Sequence, residues 1–416
     1  MKESNILSKL PQVFISLRYS DFRFLWLSSL FAGAANWALI VSRGWLVYTI
    51  SGSAASVGLV TFAAMSPMFL APPIAGFLAD KFDRKRLLST VFLLQFIHNI
   101  ILSALALLGY IEIWHLLILS FINGFARASQ MPAAQALLPN LIPEENLLNA
   151  ISLNVATVQG SRLIGPAAIV PLMAMFGPEG AFVICTVFYL LSILFALRIK
   201  TISVGKMDPD VNMMGNFFAG LKFVYHHRLI LPLVLTVLFH CCLAMSFESM
   251  LPVIAEKFFE NGAVGVTYLM MGVGMGALLF VFIIAAVRDM VLRGRLLFIS
   301  ALSSGVGLVI LGMASTHWVA ILGCFVMGAS QASYMAIAGA VIQTSSPDAI
   351  RGRVMSVYLW HIGGMMATFN WINAALSDNI GSKPVLIISG VAFFGVVIIS
   401  LISKPLRSLY VEGKID

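Results

Sequence analysis

A chain of 416 residues with 60% hydrophobic and 11% charged side chains and a mean hydropathy of +0.95 falls outside the soluble globular class, where roughly a quarter of residues are charged. A hydrocarbon core about 30 Å thick takes ~20 apolar residues per helix and admits only helices or closed barrels. The apolar runs here are too long for barrel strands and lack their two-residue alternation, and the net charge of +8 lies in loops, which points to membrane orientation and not to nucleic acid.

Twelve spans are expected. The segment 1–20 is charged and has no cleavage-type site, so the first span is expected to stay in the mature protein. Span 1 (22–48) carries Asn36 and Trp37 midway and Arg43 near its far end. Span 2 (54–79) runs into "GFLADKFDRKRLL" (76–88), which packs six charges into seven positions before span 3 (87–109). Span 4 (114–137) holds Asn123, Arg127 and Gln130 at i, i+4 and i+7, hence on one helical face. Span 5 (148–175) holds Arg162, and span 6 covers 180–199.

The long polar connection 201–228 contains "NFFAGLKFVYHH", whose helical alternation predicts an amphipathic segment along the membrane surface. Span 7 (229–251) carries His240 and Glu248, and span 8 (262–287) ends at "DMVLRGRLL", which contains Asp289. Spans 9 (296–315) and 10 (318–343) follow, the latter with Gln331 and Tyr334. "RGRVMSVY", with Arg351 and Arg353, opens span 11 (354–376), and span 12 (383–403) precedes a tail, 404–416.

Lysine and arginine cluster at both termini and in alternate loops, so both termini are expected on the cytoplasmic side. Cys185, Cys241, Cys242 and Cys324 all fall inside spans without metal-ligand spacing and are assigned to packing. No metal or other cofactor is expected.

The chain repeats itself. "FINGFARASQM" (121–131) and "FVMGASQASYM" (325–335) align without gaps, pairing Phe121 with Phe325, Gly124 with Gly328 and Ser129 with Ser333. The charged loops also align, Asp80 with Asp289 and Arg84 with Arg293. Six spans per half give both halves one orientation, so the expected fold is an all-α integral membrane protein of two parallel six-helix repeats. The expected divisions are 1–20, 21–200, a linker at 201–228, 229–403 and 404–416.

Gly76, Asp80, Lys81, Arg84, Lys85 and Arg86 resemble motif A of the major facilitator superfamily, with Asp83 at its usual second glycine. "PAAQALLPNLIPEENLLNAISLN" (132–154) and "SRLIGP" (161–166) are similar to a branch of exporters that includes enterobactin and macrolide carriers. The resemblance implies that Asp80 caps the start of span 11 as a latch, with Gly76, Arg84, Asp289, Arg351 and Arg353 in the same gating role. It also implies that spans 1, 4, 7 and 10 line a central cavity. Proton coupling is implied by this likeness alone, and two departures bear on it: Ile169 and Val170 replace glycines, and Asn36 stands where many members have an acid.

Ionisable groups at membrane depth are functional by default. Asn36, Trp37, Asn123, Arg127, Gln130, Arg162, Gln331 and Tyr334 are the candidate substrate residues. For Arg127 the alternative is a packing device bonded to neighbouring carbonyls. Arg43 and Glu248, at like depth on spans 1 and 7, are a candidate ion pair closing the outer gate. His240 is a candidate proton carrier or, alternatively, a satisfied core histidine. Three arginines in the spans and no central acid argue against a cationic drug. Neither ATP-binding nor metal-hydrolase motifs are present. The expectation is a monomeric, non-enzymatic secondary carrier in a bacterial cytoplasmic membrane, exporting a small neutral or anionic amphipathic compound against protons. The alternative is an importer or uniporter on the same fold.

Overall fold

The structure, a computed structural model, describes residues 12–69, 82–203, 213–287, 289–348 and 350–414. Gly76 and Asp80 lie outside these residues. The described elements are helical, with no β-strand among the described residues. In order they are α1 (Ser20–Ser51), α2 (Ala54–Met65, extended by the 3-10 turn Ser66–Phe69), α3 (Arg84–Leu107), α4 (Ile113–Leu137) and α5 (Glu144–Leu197). Then come α6 (Met213–His226), α7 (Ile230–Phe239), α8 (Leu251–Phe258), α9 (Gly262–Ala286) and α10 (Met290–Gly312). The last four are α11 (His317–Thr344), α12 (Arg351–Ile380), α13 (Ser382–Ser400) and α14 (Lys404–Glu412).

Among the described residues, eight helices are long and apolar enough to cross a membrane. α5 is one of them, with 54 residues in two limbs broken at Gly177, whose φ of 65° and following Pro178 end the first limb. α4 and α12, of 25 and 30 residues, also reach spanning length at 1.5 Å per residue, and they carry many of the polar groups described below. Leu93, Ile97 and Ile101 form an exposed apolar row on α3, as a lipid-facing helix requires.

The chain forms two compact units, Met1–Ser42 with Leu70–Pro209, and Arg43–Phe69 with Asp210–Asp416. In the first unit, Gly33 of α1 faces the Ser161 side chain and Gly165 of α5 faces the Ala34 carbonyl, with no room for a β-carbon at either place. Lipid offers little hydrophobic drive for one helix to pack on another, so close backbone approach through small residues sets the crossing. α3 is tied to the second limb of α5 by Asn99 Nδ2, which donates to the Phe182 carbonyl at 2.8 Å and to Thr186 Oγ1 at 2.7 Å.

In the second unit, α2 and α12 run antiparallel and nearly touch. Gly58 meets the Asn370–Ala374 segment, while Gly363 meets Met68 and Gly364 meets Phe69. α7 gives way to a π-helical turn, His240–Met245. Asn373 Nδ2 of α12 donates to the Cys242 carbonyl at 2.9 Å and the Ser246 carbonyl at 3.3 Å, satisfying backbone groups at the break. The amphipathic stretch 216–227 contributes to α6, which packs on α12 with Gly220 against the Arg353 carbonyl and the Phe217 ring 5.7 Å from that of Trp360. The segment expected as a tail forms α14, docked on α10 by Gly294 against the Leu409 carbonyl and by Tyr410, 5.2 Å from Phe298.

Candidate functional site

The helix crossing at Gly33 and Gly165 brings Trp37 and Arg162 face to face, since each lies about one turn along its helix from the contact. The Arg162 guanidinium carbon is 4.7 Å from the centroid of the Trp37 ring, and that of Arg127, from α4, is 5.9 Å away. Arg162 is buried, at 9% exposure, and Trp37 is half-buried. A guanidinium over an indole is attracted by about 0.5–2 kcal/mol depending on desolvation. Two guanidiniums at one ring also build a positive, planar and aromatic patch, which suits a carboxylate or another delocalised anion.

Asn36 and Asn123 are buried next to this cluster in sequence, and the Asn123 Oδ1 has no hydrogen-bond partner among the described residues. One turn beyond Arg127, Gln130 Oε1 accepts from Gln95 Nε2 at 3.4 Å. The structure thus joins Trp37, Arg127 and Arg162 directly. A separate groove of about 700 Å³ near the Gly177 break holds none of the candidate site residues.

The second unit has its own polar cluster. Tyr334 donates its hydroxyl to Thr236 Oγ1 at 3.0 Å, and its ring lies 4.7 Å from that of His240. His240 is fully buried, with Nε2 3.0 Å from Ser304 Oγ and its ring 5.0 Å from Phe393. Gln331 is buried on the same helix as Tyr334, and neither end of its amide has a partner among the described residues.

Several charged residues singled out as gating groups make contacts near helix ends. Arg84 opens α3, and its Nη1 donates to the Ala136 carbonyl at 2.9 Å and to Ser203 Oγ at 3.2 Å. Asp83 is the N-cap of α3 and accepts from the Lys85 N–H at 3.0 Å. Asp289 caps α10 in the same way, accepting from the Leu292 N–H at 2.7 Å. Judged by helix starts, the counterpart of Asp289 is therefore Asp83, one turn from the pairing the sequence alignment gives. Arg351 pairs with Asp348 and donates to the Gln343 carbonyl at 3.0 Å, stapling the turn between α11 and α12. Arg353 supplies the carbonyl against which α6 packs. Arg43 is buried and Glu248 is half-buried at the start of the 3-10 turn Glu248–Met250; neither is without a partner.

Sequence reasoning missed several groups. Tyr48 donates to Glu256 Oε2 at 2.5 Å, Trp45 lies against Gly262, and Asp378 receives three hydrogen bonds from the start of α2. For Asp378 a signal was present: an acid in the last turn of a helix opposes that helix's own dipole.

Apolar helices of spanning length that meet at close glycine crossings, with polar clusters between them, describe a multi-pass helical membrane protein. The match to the family of transmembrane secretion effectors covers residues 12–410, and the chain belongs to that family. It is 23% identical to a staphyloferrin A transporter of Staphylococcus aureus, over 89% of this chain and 93% of the relative. It is 21% identical to macrolide efflux protein A of Streptococcus pyogenes, over 86% and 90%. Among solved structures, a nucleoside transporter superposes with a TM-score of 0.77 at 11% identity, covering 92% of this chain and all of that one, which is a likeness of fold.

Proposed function

We propose that the protein is a monomeric secondary exporter of the bacterial inner membrane, moving a small neutral or anionic amphipathic compound outward by alternating access in exchange for protons. The observation that carries this reading is the approach of both Arg127 and Arg162 to the Trp37 ring. A flat or carboxylate-bearing molecule gains stacking on the indole and charge-assisted hydrogen bonds from the guanidiniums. Asn36, Asn123 and Gln130 extend this surface on the first half, and Gln331 and Tyr334 are its counterparts on the second. Relatives whose names give a siderophore and macrolides as cargo support the amphipathic class.

The twelve-span count follows if the two limbs of α5 cross separately and α2, α4 and α12 each add a span to the eight. Both termini are then cytoplasmic, with 21–200 and 229–403 as the two halves. Arg43 and Glu248 close the outer gate, and Asp80 latches the inner one.

The test is cargo-driven proton movement in energised inside-out vesicles with siderophores, macrolides and cationic dyes as candidate cargoes. Collapse of the pH gradient by an anionic or neutral compound in wild type, and its loss in Arg162→Ala, is the expected result. Labelled cargo that enters without proton movement would replace antiport by another coupling ion or by uniport. A response confined to cationic dyes would overturn the cargo class.

A further inference from the structure

The start of α2 is held by a residue from another helix. Ser53 is its N-cap, accepting from the Ser56 N–H at 3.2 Å, and the Ser53 hydroxyl donates to Asp378 Oδ2 at 2.5 Å. The Ala54 N–H donates to Asp378 Oδ1 at 2.9 Å and the Ala55 N–H to Oδ2 at 3.0 Å. The first three N–H groups of α2, which have no acceptor within their own helix, are thus satisfied, two of them by one carboxylate of α12.

Within its own helix Asp378 is badly placed. It lies in the last turn of α12, just before Gly381 with φ of 88°, where the helix dipole disfavours an anion. Its charge is favourable only while the positive end of α2 is docked beside it. The carboxylate is exposed, so separation of the two helices hydrates it at little cost. These are the properties of a contact that is made and released, unlike a buried ion pair.

The segment Arg43–Phe69 groups with the second compact unit although the chain on both sides of it belongs to the first. We propose that Asp378 is a latch that holds α2 to α12 at this end of the protein, and that its release from the α2 N-terminus is the step that opens this end. The proposal rests on the alternating-access reading above. The Tyr48–Glu256 hydrogen bond fastens the adjoining end of α1 to α8 on the same side.

The test uses the full chain in lipid nanodiscs, with nitroxide labels at Ile50→Cys and Ile380→Cys, both exposed positions, and pulsed electron resonance to read the distance distribution. Wild type is expected to show a dominant short distance and a minor long one. Asp378→Ala should raise the long-to-short ratio about fivefold, the size expected for loss of a helix cap. Asp378→Asn, near-isosteric and so less apt to disturb folding, should raise it in the same direction, and the neighbouring Asn379→Ala should leave it unchanged. Two populations whose ratio ignores both Asp378 variants would overturn the latch. A single short distance in wild type under every gradient and with every candidate cargo would instead count against alternating access itself.

Discussion

The Arg162 guanidinium lies 4.7 Å from the centre of the Trp37 ring, and this pairing exists because Gly33 and Gly165 let α1 and α5 meet backbone to backbone. Replacing Trp37 by Ala removes the platform for both arginines and should lower transport at least tenfold. Trp37→Phe keeps a ring with a weaker attraction for cations and should retain an intermediate rate. Initial rates of labelled cargo uptake into inside-out vesicles distinguish the two.

The crossing itself is testable apart from transport. A side chain at Gly165 meets the Ala34 carbonyl and the Ala38 nitrogen, backbone atoms that cannot rotate away. Gly165→Val should therefore destabilise the protein by about 1–3 kcal/mol, the usual cost of overpacking. The expected reading is a lower melting temperature in detergent, together with weaker cargo binding because Trp37 and Arg162 move apart.

Asn123 separates binding from stability in the opposite direction. Its Oδ1 is buried with no hydrogen-bond partner among the described residues, a condition that costs about 1–3 kcal/mol. Asn123→Leu, of similar volume, should raise the melting temperature while lowering affinity for cargo. A variant that is both less stable and fully active would assign Asn123 to packing alone.

The all-helical, membrane-spanning character was legible because apolar runs of about 20 residues leave few alternatives. α4 at Ile113–Leu137 matches the expected 114–137, and α12 at Arg351–Ile380 extends the expected 354–376 by a turn or less at each end. Trp37, Arg127 and Arg162 were also legible as intramembrane polar or aromatic groups on spans 1, 4 and 5, although their mutual contact was not. Hydrophobic pattern says which residues avoid lipid, and it is silent on which distant groups they meet. The bonds of Arg84 to Ala136 and Ser203 are of this kind, joining groups 52 and 119 residues apart in the chain. Asp378, Tyr48 and Glu256 were overlooked for the same reason, since their partners lie hundreds of residues away in the chain. The docked α14 was read as a tail because a helix of nine residues is too short to span a membrane.

Arg43 and Glu248, proposed above as the pair that closes the outer gate, give a prediction of compensation. Leaving a buried charge without its partner costs about 3–5 kcal/mol, and half-burial of Glu248 places this pair at or below the low end of that range. Arg43→Glu and Glu248→Arg should each lower transport about tenfold or more, and the double reversal should recover most of the loss. A double variant no better than either single would separate the two residues.

The last prediction concerns pH. His227 lies between α6 and α7, and its Nδ1 accepts from the Leu229 and Ile230 N–H groups, both at 3.2 Å. Burial holds its pKa below the ordinary value of 6.5, and the two hydrogen bonds need an unprotonated Nδ1. The neutral ring is thus favoured in the folded state, so its contribution is complete above pH 6.5. That contribution falls as pH drops below 6.5 towards the depressed folded value, because the unfolded chain takes up the proton first. Melting temperatures in detergent at pH 8.0 and pH 5.0 should therefore differ more in wild type than in His227→Gln, which does not titrate. An equal difference in the two proteins would show that other groups carry the acid sensitivity.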